Sequence, residues 1–138
     1  MNAIKWLGWG VVVLGLVSCS GGKYADTKSA MKEQTSAMED FAARVDKAGS
    51  AKEVATALDR YADQMAKMME QGKKLKEKYS GVDLGDAPEL KAESEQVKQA
   101  AMKFTQAFMK ISMQYGNDPE VQAALKKWQA NMSQAARP

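Results

Sequence analysis

The chain is predicted to be all-α: an antiparallel up-down bundle of three long helices plus a shorter fourth helix. Three observations lead there. Inside residues 25–135 glycine and proline are sparse, while alanine, lysine, glutamate and glutamine are common, a composition that favours helix. Apolar residues recur by threes and fours through four successive stretches. No stretch alternates with period two, so no strand pattern competes. With 138 residues, the chain holds one domain of ordinary size.

The first helix is expected over about Asp26 to Ala48. Tyr24, Met31, Met38 and Val45 recur every seven residues, with Thr27, Gln34, Phe41 and Ala48 between them. Gln34 weakens this stripe. Gly49 is expected to stop the helix in a left-handed conformation. Ser50-Ala51-Lys52-Glu53 then matches a capping box, in which the serine oxygen accepts from the Glu53 amide and Glu53 reaches back. The joint is short enough that one kinked, continuous helix is the alternative.

The second helix carries Val54, Leu58, Tyr61, Met65, Met68, Met69, Gly72, Leu75 and Tyr79, and runs to Ser80-Gly81. Gly72 in this stripe reads as a close helix contact or a slight kink. After the loop GVDLGDAP, Asp86 is the expected N-cap of the third helix, with Pro88 in the first turn. Leu90, Ser94, Val97, Ala101, Phe104, Phe108, Ile111 and Tyr115 form its stripe. Asp118-Pro119-Glu120 starts the fourth helix, with Val121, Leu125, Trp128 and Met132 on one side.

Charge and composition narrow the function. There are 20 Lys plus Arg against 17 Asp plus Glu, without the strong basic stripe of a dedicated nucleic-acid binder. The absence of histidine removes the commonest general base and metal ligand. Carboxylate pairs such as Glu39-Asp40 and Glu93/Glu95 sit among lysines and read as solvated. No nucleophile elbow or phosphate loop occurs. No catalysis and no cofactor are expected.

The only cysteine, Cys19, excludes an internal disulfide. It follows a positive charge at Lys5 and a 12-residue apolar run, Trp6 to Val17, too short to span a bilayer as a helix. Leu16-Val17-Ser18-Cys19 resembles the lipobox of bacterial lipoproteins. A signal anchor with a chance cysteine is the plainer alternative; charge, run length and cysteine position together favour the lipobox. The resemblance covers about the first 20 residues. It implies a signal peptide over 1–18, diacylglyceryl transfer to the Cys19 sulfur, cleavage before Cys19, and acylation of the new amino terminus. Ser20 resembles the residue of proteins sorted to the outer membrane. Residues 19–25 would then be the lipidated cysteine and a tether of at most about 20 Å, with a periplasmic bundle over 26–138.

Two features could carry binding. On a helical wheel, Met102, Met109 and Met113 fall about 140–180° from Phe104, beside Gln106. The fourth helix could cover this second apolar face with Leu125, Trp128 and Met132. Left open, the face would be an adaptable patch for another protein or an acyl chain. Alternatively, the thioethers of Met102, Met109 and Met113 could hold Cu(I) or Ag(I), with Met109 and Met113 one turn apart. The second feature is the run Lys73, Lys74, Lys76 and Lys78 at the end of the second helix. Cations there suit the helix dipole, and they could also touch acidic lipid headgroups or cell-wall polymer. The expected function is a lipid-anchored binding or structural module. Its expected partners are the membrane, through lipidated Cys19, and a membrane-proximal envelope protein.

Overall fold

The computed structural model describes residues 22–135. Four helices make up nearly all of it: α1 (Ala25–Lys47), α2 (Ala51–Lys78), α3 (Lys91–Tyr115) and α4 (Pro119–Ala135), with a single 3₁₀ turn at Pro88–Leu90. Their lengths are 23, 28, 25 and 17 residues. No strand occurs among the described residues.

α1 packs against both α2 and α3, and α2 also packs against α4. Phe41, Val45, Val54, Leu58, Ile111 and Val121 are completely buried where these helices meet. At the centre, the Phe41 ring lies 5.0 Å from Tyr61 and 5.1 Å from Phe104, and Phe104 lies 5.0 Å from Phe108. Phe108 continues the cluster to Trp128 on α4, at 5.3 Å. These tilted pairs add to simple area burial. Around the core, Lys23 pairs with Glu89, Glu39 with Lys103 and Asp46 with Lys110 between α1 and the segment carrying α3. Asp40 meets Arg60, and Asp26 meets Lys78, between α1 and α2.

The joint between α1 and α2 contains two separate helices, not one kinked helix. Ser50 accepts from the Glu53 amide at 3.3 Å, as expected. The Glu53 carboxylate accepts from Gly49 N–H at 2.7 Å, closing the box one residue earlier than its usual partner. This changes the role of Gly49. Ala48, in an extended conformation, ends α1, and Gly49 has no positive φ. Its amide is satisfied by a side chain, so no left-handed cap is needed.

Two other local expectations are also corrected. Asp86 does not cap α3: Pro88 opens a 3₁₀ turn that buries Leu90, and α3 continues directly from it. Gly72 makes no close helix contact, since a Cβ added there would meet nothing within 4 Å. The tight backbone approach is at Gly116 instead, where an added Cβ would strike the Ser112 carbonyl oxygen. Asp118 then caps α4, its Oδ1 accepting from the Glu120 amide at 2.9 Å. The two ends of α1 and α2 are joined by Tyr24 and Tyr79, whose rings meet edge-on at 5.2 Å. Tyr24 holds a left-handed conformation (φ 63°) that this burial offsets.

Candidate functional site

α3 has two apolar faces. Ala100, Ala107 and Ile111 are buried, and Phe104 and Phe108 are half-buried beside them. On the opposite face, Met102, Met109 and Met113 are 62%, 58% and 84% exposed. Gln106 is exposed between them. They are three of only four large apolar side chains exposed among the described residues, so the face is not random surface scatter.

The fourth helix does not cover it. α4 packs against α2, with Val121 and Ala124 buried and Lys127 bonded to Asp59 at 3.0 Å. Trp128 stacks on Phe108, which lies on the core face of α3. The physical reason is the ring cluster: an aromatic pair gains from ring–ring geometry beyond area burial, which a methionine row does not offer Trp128.

Beside Gln106, a groove of about 380 Å³ runs between α1 and α3, floored by Ala42 and Ala107. Its rim is charged. Lys103 bonds Glu39 at 2.8 Å, and Lys110 Nζ donates to the Val45 and Asp46 carbonyl oxygens at 3.2 Å each. Lys103 and Lys110 are therefore held by α1.

The lysine run sits at the other candidate position. Lys73, Lys74, Lys76 and Lys78 are all exposed. Lys74 pairs with Glu70 one turn earlier at 3.0 Å. Lys78 and the Tyr79 hydroxyl both donate to the Asp26 carboxylate. The Lys78 bond, then the Tyr79 bond, hold the Asp26 carboxyl at about 2, below its ordinary value, and the same contacts raise Lys78 and Tyr79. Lys78 is thus a structural clamp between the end of α2 and the start of α1. Cys19 lies outside the described residues.

The carboxylates divide. Glu39 is bonded to Lys103, and Asp40 to Arg44 and Arg60. Glu95 meets Lys98 at 3.4 Å. Glu93 differs from its expected solvated state, because its Oε2 is buried without a partner. Among the described residues no three His, Cys, Asp or Glu side chains gather as a metal site, and no helix is long and apolar enough to cross a membrane. Sequence reasoning missed a pocket between α1 and α2 that includes Thr27 and Gly72. An open pit beside a helical glycine leaves no periodic signal.

No family model, no curated protein and no solved structure matches this chain.

Proposed function

We propose that this protein is a lipid-anchored periplasmic binding module of the bacterial outer membrane, without catalytic activity, that docks a helix of a membrane-proximal envelope protein on the methionine face of α3. The observation that carries this reading is the bare face itself: three methionines left uncovered while every other long apolar stripe is at least half-buried. Met102, Gln106, Met109 and Met113 are spaced by four, three and four residues, the spacing of a seam that receives another helix. Methionine is flexible and polarizable, so such a seam adapts to its partner's shape.

The arrangement of the four helices is read as up-down. Rising partner numbers on α1 and α3 (23 with 89, 39 with 103, 46 with 110) support one shared direction. Falling numbers on α2 (26 with 78, 40 with 60) support the opposite one. In that arrangement the lysine-rich end of α2 lies beside the tether to Cys19, where Lys73, Lys74 and Lys76 meet acidic headgroups. The lipobox-like Leu16-Val17-Ser18-Cys19 supplies the anchor.

A second reading, Cu(I) or Ag(I) handling by Met102, Met109 and Met113, rests on the one-turn spacing of Met109 and Met113. Met102 is two turns from Met109, about 10 Å along the axis. One ion therefore has two sulfurs at most from this face, which favours the docking reading.

Photo-crosslinking from position 109 in intact cells, with lipidation preserved, tests the proposal. The expected result is a specific adduct with a second envelope protein. Adducts confined to the chain's own helices overturn it. The mass of the mature amino-terminal peptide tests the anchor separately.

A further inference from the structure

The joint between α1 and α2 gathers charge of one sign. α1 carries Arg44 and Lys47 in its last turn, and α2 carries Lys52 in its first. Only Ala48, Gly49 and Ser50 separate the two helices, so these three cations share one corner of the bundle. The nearby carboxylates are engaged with other groups. Asp40 Oδ2 is shared by Arg44 Nε at 2.8 Å and Arg60 Nε at 3.4 Å. Asp46 faces α3, 3.6 Å from Lys110. Glu53 accepts from the Gly49 amide in the capping box. Among the described residues, Lys47 and Lys52 are left without a carboxylate partner.

Arg44, Lys47 and Lys52 line one open pocket of about 420 Å³, together with Glu53. Half-buried Ala48 and buried Ala57 give it an apolar floor. Three cations against one carboxylate leave its lining with two positive charges in excess. Arg60 balances Asp40 just outside it. The backbone does not cancel this excess. The carbonyl end of α1 would repel an anion, but Lys110 reaches across from α3 and donates to the Val45 and Asp46 carbonyl oxygens at 3.2 Å each. The start of α2 adds the positive end of its dipole.

We propose that this pocket binds a small organic phosphomonoester, its phosphate held by Lys47, Lys52 and Arg44 and its organic part lying over Ala48 and Ala57. Charge selects the phosphate. A phosphomonoester carries about −1.5 to −2 at pH 7 and matches the excess of two, whereas a carboxylate leaves one cation unanswered. Lysine and arginine offer only donors, and the phosphate oxygens are strong acceptors. Size selects an ester over the bare ion, because the pocket falls within the roughly 300–1,000 Å³ of small-molecule sites. The cations are exposed, so binding weakens as salt rises. The site is separate from the α3 face and stands whether or not that face docks a partner.

The test is amide NMR of the full chain in uncharged lipid nanodiscs, titrated with phenyl phosphate at constant ionic strength. The Ala48, Lys52 and Ala57 signals are expected to shift together and saturate. Benzoate, which keeps the ring and carries one charge, should bind about tenfold more weakly. The double change Lys47→Gln and Lys52→Gln touches only exposed side chains, so helix content should hold. It should weaken phenyl phosphate binding at least about tenfold, as two charged donors are lost. Lys91→Gln with Lys126→Gln removes the same charge elsewhere on the surface and should leave the affinity unchanged. Four results overturn the proposal: no saturation at the joint, benzoate binding as tightly as phenyl phosphate, undiminished binding by the Lys47 and Lys52 variant, or an equal loss in the Lys91 and Lys126 variant. The last would mean that the field of the whole chain, and not this pocket, attracts the anion.

Discussion

On one side of α3, Ala100, Ala107 and Ile111 are buried in the core that α3 shares with α1; on the other, Met102, Met109 and Met113 stand in solvent. Both sides are apolar rows on one helix. What separates them is the partner each can accept. Two alanines let a neighbouring backbone come close, and Ile111 fills the space that remains. The methionine row offers long, flexible side chains with no small residue between them. α4 had a choice of neighbours, and it lies on α2, with Trp128 against Phe108. An apolar row is thus an offer of burial, and the number and length of the other helices decide which offers are taken.

The largest expected effect tests the buried side directly. Ile111→Ala should cost about 2–5 kcal/mol in urea unfolding, while Met113→Ala should stay within about 0.5 kcal/mol. Equal losses would erase the distinction between the two faces. Gly116→Ala should cost about 1 kcal/mol or more, since its Cβ would strike the Ser112 carbonyl at the corner that leads into α4. An unchanged midpoint would mean that this corner does not constrain α4.

Ser50→Ala removes the oxygen that caps α2 and should cost about 1 kcal/mol by the same measurement. Smaller still is the combined Met102→Leu, Met109→Leu and Met113→Leu change. Stability should hold within about 0.5 kcal/mol because the sites are exposed. Crosslinking from Gln106 to a partner should persist, since leucine keeps the apolar seam. If Cu(I) affinity is present and is lost in this variant, the docking reading gives way to the metal reading.

The smallest effect is expected at the Asp26 clamp, where Lys78 and the Tyr79 hydroxyl both donate to one carboxylate. Lys78 and Tyr79 hold the folded-state carboxyl at about 2, against an ordinary 3.8. A depressed folded value means the contribution is complete above about pH 4 and is lost as pH falls through about 2. The effect is small, because the groups are exposed and screened. Asp26→Asn should flatten the acid limb of stability against pH between those values. An unaltered acid limb would assign the clamp's strength to the Tyr24–Tyr79 contact alone.

Much of the fold was legible because helical periodicity is local. The stripe of α1 and the Ser50–Glu53 box followed from spacing and side-chain chemistry, and both are present. The wheel also separated Met102, Met109 and Met113 from Phe104, which is the division of faces observed. Less legible were Gly49, Gly72 and Asp86. Each depended on what stood opposite: a carboxylate for Gly49, empty space for Gly72, and a buried Leu90 that tightened the turn past Asp86.

Residue order alone determined four helices, their stripes and the Ser50 and Asp118 starts of the second and fourth, since these depend on neighbours within a few positions. Only the tertiary structure decided which helix covers which stripe. That choice compares distant surfaces, Phe108 with Met109 as the seat for Trp128, and it left the methionine face bare.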